Sequence, residues 1–233
     1  MKITLLVLIA TTLLCAEGFP SELKGIVKTQ AGEPLADVFI FYGRSMRDIT
    51  QTYNGGTFSI PGQSKVIFFR RLGYHPLTKI VDSGVTNLEI VLFNSHNSEI
   101  ALPKCQAGES SGKRIGDSFR LLVPEGAKSN EGFDVDYGYF SIVMRSSSRQ
   151  VWLNGIYGPT ATIGLPPEEW ILNAIEFSER SYKDKGLFSD MRGLAKDGAY
   201  WRYVGAIGES IQYSGLTEQE AKYFDTIIDT ACY

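Results

Sequence analysis

Between residues 23 and 93 the chain never goes long without a glycine or a proline, and the pieces between are short and β-prone. "LKGIVKT" alternates, "AGEPLAD" is a turn cluster, and "VFIFYG" is a β-branched and aromatic run ended by Gly43. "TFSI", "KVIFFRRLGY" and "NLEIVLF" follow, and none of them has helical periodicity. Such spacing leaves no room for a helical core and predicts an all-β sandwich. The stretch "TYNGGTFSIPG" states the rule locally. Asn54-Gly55 is a favoured hairpin dipeptide, expected with positive φ at both residues. Gly56 allows a further bend. Thr57 to Ile60 then alternate, which sends Phe58 and Ile60 to the same face. Pro61-Gly62 ends the strand.

These same residues carry a family resemblance. "GIVKTQAGEPLADVFI" resembles the opening of carboxypeptidase regulatory-like domains through Gly25, Gly32, Pro34-Leu35 and Val38. "TYNGGTF" is similar to that family's T-D-x-x-G-x-F hairpin through Thr52, Gly56 and Phe58, and "RRLGYHPLTKIV" to its G-Y strand through Gly73 and Tyr74. Tyr53 departs from the pattern, because the family usually has an aspartate there. The resemblance covers residues 23–93, under a third of the chain. It implies a transthyretin-like, seven-stranded sandwich. It implies no peptidase activity, since in that family the module is an accessory on peptidases, outer-membrane receptors and other exported bacterial proteins.

Residues 94–117 are polar and Gly/Ser-rich and read as a linker, with a short strand at Ile100–Leu102. Residues 118–233 change character. "SFRLLVPEG", "DYGYFSIVMR" and "QVWLNGIYG" read as strands. In "LPPEEWILNAIEFSERSY", Pro167 suits a first helical position and Glu168 and Glu169 suit a helix N-terminus. Trp170, Ile171, Ala174 and Ile175 recur at helical spacing. "KDKGLFSDMRG" reads as a loop. "AYWRYVGAIGESIQYSG" reads as a strand pair turning near Gly205 or Gly208. Thr217 and Glu220 form a capping box before a last helix whose apolar stripe is Ala221, Phe224, Ile227, Ile228 and Ala231. The expectation is an α+β domain, an antiparallel sheet with two helices, after the sandwich.

The N-terminus points outward. Lys2 precedes "ITLLVLIATTLLCA", which has the length of a signal-peptide apolar core and is too short for a comfortable membrane span. Ala16 and Gly18 place small residues before a cut after Gly18, so residues 1–18 are expected to be a leader. Leu14 before Cys15 argues against a lipoprotein signal. The exported chain keeps Cys105 and Cys232. An oxidising compartment favours their pairing, and closing so long a loop stabilises by roughly 4–5 kcal/mol. The net charge of −3 at neutral pH argues against nucleic acid as partner. Arg70-Arg71 and Lys113-Arg114 read as short solvated clusters. No other apolar run is long enough to span a bilayer after leader removal.

Few residues suggest chemistry. His75 lies in "GYHP" and His96 in the linker, without partners at metal-ligand spacing, so neither a metal nor another cofactor is expected. No G-x-S-x-G occurs, and 118–233 holds no histidine. Carboxylates are the only enzymatic candidates: Asp134 and Asp136 on one strand face, and Asp190, Asp197 and Glu209 around a possible cleft. Asp197-Gly198 is also a turn dipeptide. The densest binding-like patch is "DMRGLAKDGAYWRY". Trp201 and Tyr203 share one strand face, and Tyr200 and Arg202 the other. With Asp190, Trp152 and Tyr157 they offer an aromatic surface for sugars, peptides or a protein; aromatic residues at period two are more often core. The reading is an exported, non-catalytic binding or interaction protein, with an envelope protein or a polysaccharide as partner. The alternative is a small carboxylate-dependent hydrolase of cell-envelope or extracellular polymers.

Overall fold

The computed structural model describes residues 22–43, 48–95, 113–115, 119–124, 127–134, 136–146, 149–158, 165–181, 189–206 and 209–232. The leader, the strand expected at Ile100–Leu102, His96 and Cys105 lie outside these residues. The described chain is mostly β.

Seven strands come first: β1 (Glu22–Thr29), β2 (Phe39–Tyr42), β3 (Asp48–Gln51), β4 (Thr57–Pro61), β5 (Val66–Arg70), β6 (Leu77–Ile80) and β7 (Asn87–Leu92). They form two sheets, ordered β4-β1-β7 and β3-β2-β5-β6. Leu23, Val27 and Ile90 of one sheet and Ile40, Ile67 and Phe69 of the other belong to one buried core, which Phe58 and Ile60 join as their alternation requires.

The loop before β4 differs from the expected hairpin turn. Neither Asn54 nor Gly55 has positive φ; Gly56 does, at 70°. The Gly56 amide donates to the Tyr53 carbonyl (2.7 Å) and the Tyr53 amide to the Thr57 carbonyl (3.0 Å). This is a three-residue loop closed by a left-handed glycine. The mirror-image turn suits neighbours in one sheet, and β3 and β4 lie in different sheets. Thr52 anchors the corner from within. Its buried hydroxyl donates to the Leu35 carbonyl (2.7 Å) and accepts from the Val38 amide (3.0 Å). A Cβ on Gly56 would stand 2.5 Å from the Val27 carbonyl oxygen and 2.8 Å from the Leu35 nitrogen. Gly56→Ala is therefore expected to cost about 1–2 kcal/mol from the left-handed backbone, and more from backbone displacement. Urea unfolding measures it, and an unchanged midpoint would mean that the corner accepts a side chain.

Strand β5 is buried at all five positions. Ile67 and Phe69 face the first core, while Val66 and Phe68 face a second cluster built with the following part of the chain. Coverage of both faces explains why "VIFF" is a continuous apolar run. It also corrects the reading of Arg70 as solvated: the side chain is 1% exposed and bonded to Glu179.

A short ribbon, β8 (Lys113–Ile115) with β9 (Phe119–Leu121), falls partly within the stretch read as linker. Then come β10 (Lys128–Phe133), β11 (Gly138–Arg145), β12 (Gln150–Tyr157), α1 (Glu168–Leu172), β13 (Ala174–Ser181), β14 (Ser189–Ala195), β15 (Tyr200–Ala206), β16 (Glu209–Leu216) and α2 (Glu218–Ile228). The strands β10 to β16 make one antiparallel sheet in the order β10-β11-β12-β16-β15-β14-β13. Three expectations are corrected here. The helix expected through Ile175 stops at Leu172, without a side-chain N-cap, and residues 174–181 pair with β14 instead. So short and uncapped a helix cannot outweigh a full strand's ladder bonds. Part of the expected loop "KDKGLFSDMRG" is strand β14 for the same reason. Asp134 and Asp136 sit in the turn between β10 and β11, where the Asp134 amide donates to the Tyr137 carbonyl, and not on a strand face.

Helix α2 follows expectation. The Thr217 hydroxyl and Glu220 carboxylate satisfy each other's amides, and Ala221, Phe224, Ile227 and Ile228 are buried against the sheet. Arg149 donates to Glu220 at 2.5 Å, and with the cap it holds that carboxyl down to about 2.

Glycines inside strands have a common cause that period-two reading does not show. Gly25 faces Phe58, Gly132 faces Tyr139, Gly155 faces Phe140, Gly138 faces Tyr157 and Gly193 faces Trp201, each directly opposite on the neighbouring strand. In each pair the ring lies where the glycine's Cβ would be. The rings thus lean across the neighbouring strand into the space the missing side chain leaves.

Candidate functional site

The registers of the large sheet align one row across all its strands: Asn130, Ser141, Asn154, Gln212, Tyr203, Met191 and Glu179. These side chains share a face. Over β14 and β15 the face is covered. Phe41, Val66 and Phe68 of the four-stranded sheet, with Ile171 of α1, pack on Met191, Trp201 and Tyr203. Over β10–β12 it is open. Trp152 is 41% exposed, Tyr139 46% and Ile156 37%. Tyr139 stands opposite Ile156, Ser141 opposite Asn154, and Val143 opposite Trp152. The polar row thus runs between two apolar pairs, and the Tyr139 ring lies across Gly132.

The residues singled out from sequence are divided among three places. Trp201 and Tyr203 do share a face, but each is 3% exposed and covered. Trp201 packs on Trp170 (5.7 Å between rings) and stacks on Phe177 (6.0 Å), and its indole N–H has no partner among the described residues. Burial pushes the Tyr203 hydroxyl well above its usual range. Trp152 alone lies on the open face.

Arg202 and Asp190 lie on the opposite face, beneath α2. The guanidinium makes a two-pronged contact with Asp190 (2.9 and 2.8 Å) and reaches Asp225 (2.9 Å) and Asp229 (2.8 Å) on the helix. Arg192 adds a bond to Asp190 at 3.1 Å, and the Tyr213 hydroxyl donates to Asp225 at 2.9 Å. Asp229 caps a helix with no basic residue in its last turn, so Arg202 supplies the cation that a helix C-terminus favours. Burial raises the Asp190 carboxyl, and the bonds and charge of Arg202, helped by Arg192, more than reverse this, leaving it below its usual range.

Beside this cluster is a groove of about 390 Å³ lined by Ser178, Arg192, Tyr200, Lys222, Asp225 and their neighbours. Its chemistry is constrained. Asp190 is locked as a carboxylate by two guanidinium groups and has no proton to give. Glu209 is buried two residues along β16 from Ile211, and Ile211, Val204 and Asp190 share a row. That spacing puts the Asp190 and Glu209 Cα atoms roughly 12 Å apart. The Asp197 carboxylate accepts the Ala199 amide at 3.0 Å, as a turn residue does. Among the described residues no group of three His, Cys, Asp or Glu side chains is placed to hold a metal ion.

The sequence reading missed Tyr139, Asn130, Asn154, Ile156 and Gln212. A signal for two of them existed: Trp152, Asn154 and Ile156 alternate with Val151, Leu153 and Gly155, marking one apolar and one mixed face. What covers each face was not in the pattern. No protein-family model matches the chain, and comparison with curated proteins finds no relative. Among the described residues no helix is long and apolar enough to cross a membrane.

Proposed function

We propose that the protein is an exported, non-catalytic binding protein whose ligand docks on the open half of the large sheet. The observation that carries the reading is the unequal cover of one sheet face. A single face continues from Met191 and Tyr203, sealed by other parts of the chain, to Tyr139, Trp152 and Ile156, which stay more than a third exposed and which none of the buried clusters among the described residues includes. Large apolar side chains left exposed on one sheet face mark an interaction surface. The export half of the reading rests on the apolar stretch ahead of Gly18 and on Cys105 and Cys232. Cys232 is buried next to the end of α2, where a bridge to Cys105 would hold the terminus. The two smaller sheets fit the role of a carboxypeptidase regulatory-like sandwich, supported by the corner motif of Thr52, Gly56 and Phe58, and the large sheet with α1 and α2 that of an α+β binding domain.

The test is retention from a cell-envelope fraction on immobilised residues 19–233. The wild-type chain is expected to retain a component that Trp152→Ala/Tyr139→Ala loses. Both side chains are partly exposed and lie outside the buried core, so the variant is expected to remain folded, which its urea unfolding checks. Equal retention by the double variant would remove this face from the function.

A further inference from the structure

We infer that the open face binds a glycan chain laid along the row Asn130, Ser141, Asn154 and Gln212, with sugar rings stacked on Tyr139 and Trp152. The inference rests on the binding reading above and names its ligand.

Three observations point the same way. The first is the polarity of the middle of the face. A protein-docking surface concentrates apolar side chains at its centre and polar ones at its rim. Here the order is reversed: a row of three amides and a hydroxyl runs through the centre, with Tyr139 and Ile156 on one side and Val143 and Trp152 on the other. An apolar partner would leave those amides unsatisfied, at a cost for each. Sugar hydroxyls both donate and accept, as do side-chain amides, so a glycan satisfies the row.

The second is the attitude of the ring. Tyr139 lies over Gly132 because that strand position has no side chain. The ring reaches across the neighbouring strand at that position, and 46% of the residue remains exposed. The C–H face of a pyranose stacks on such a surface. Trp152 offers a second aromatic ring, an indole, at the other margin, about 13 Å further along the strands. One sugar ring cannot span that distance, so the ligand is a chain.

The third is charge. On β10, β11 and β12 the only ionic groups sharing this face are Lys128 and Arg145, both on the Trp152 margin, and none lies within the row. Lys128 stands opposite Val143, and Arg145 opposite Gln150. The contacts are therefore those of a neutral polymer, and its binding is expected to ignore added salt.

The test is affinity electrophoresis of residues 19–233 through gels containing soluble β-glucan, xylan or mannan, with pectate as the anionic comparison. At least one neutral polymer is expected to retard the wild-type chain, with and without added salt. Trp152→Ala and Tyr139→Ala should each weaken the interaction by about tenfold or more, and Asn154→Ala should weaken it less. Retardation by none of the neutral polymers overturns the inference, as does retardation that survives Trp152→Ala/Tyr139→Ala. Pectate alone, with retardation lost in salt, also overturns it. The outcomes separate the two claims. A protein retained from the envelope in a Trp152-dependent way, with no polymer bound, removes the glycan and keeps the docking face. Loss of neither polymer nor envelope component in the double variant removes both.

Discussion

Replacing Arg202 by methionine is expected to destabilise the folded chain by about 3–5 kcal/mol, the usual cost of stranding a buried charge. Arg202 is 1% exposed, and its bonds to Asp190 lie wholly within the space between β14, β15 and α2. Without it Asp190 keeps one bond, to the half-exposed Arg192. Asp225 keeps the Tyr213 hydroxyl, and Asp229 keeps solvent. The loss therefore falls on Asp190. A second substitution, Asp190→Leu, should return most of it, because replacing a buried pair with apolar groups is often close to neutral.

The same variant should reverse a pH response. In the wild type the Asp190 carboxyl lies below its ordinary value. A carboxyl depressed by folding stabilises above its unfolded pKa, near 3.9, and that contribution is lost as the pH falls below it. In Arg202→Met the burial that raises the pKa loses its main opponent. The folded state then takes up a proton more readily than the unfolded chain, so stability rises as the pH is lowered from 7 towards 5. Urea unfolding at both values measures it. A loss under about 1 kcal/mol, the range of exposed ion pairs, or a pH response like the wild type's would mean that water reaches this cluster.

The difference between what the sequence disclosed and what it withheld has one source. Local periodicity reports which residues share a face. It placed Phe58 with Ile60, Trp201 with Tyr203, and Arg202 with Tyr200, and the structure keeps each of these pairings. Capping chemistry is local as well, so the Thr217–Glu220 box was legible. What covers a face depends on residues far away in the chain. Trp201 and Trp152 look alike in sequence, each an aromatic residue in an alternating strand, yet Phe68 and Ile171 close over the region of one and leave the other open. Arg70 followed the same course: its neighbours read as a basic surface cluster until Glu179 arrives from a strand more than a hundred residues later. Strand β13 was misread because its ladder partner β14 was itself read as a loop.

Where Arg70 meets Glu179 the second large effect is expected. The guanidinium donates to Glu179 at 2.6 Å and to the carbonyls of Phe69 (3.0 Å) and Leu77 (3.1 Å), and it lies 5.1 Å from the Phe68 ring. Thr78 donates to the other Glu179 oxygen at 2.7 Å. This is an ionic contact between the four-stranded sheet and the large sheet; Phe41, Val66, Phe68, Met191, Trp201 and Tyr203 make an apolar one. Burial makes Arg70 easier to deprotonate and Glu179 opposes this, so the pair is a desolvated charge relying on its partner. Glu179→Leu should then cost about 3–5 kcal/mol, and Arg70→Met/Glu179→Leu should recover most of it. The readout that distinguishes a contact between layers from a local fold defect is cooperativity. The wild type is expected to unfold in one transition followed by both near-UV circular dichroism and fluorescence. In Glu179→Leu the two probes should separate, because the apolar cluster alone no longer binds the sheets into one unfolding unit. A cost below about 1 kcal/mol with coincident transitions would place this ion pair in water.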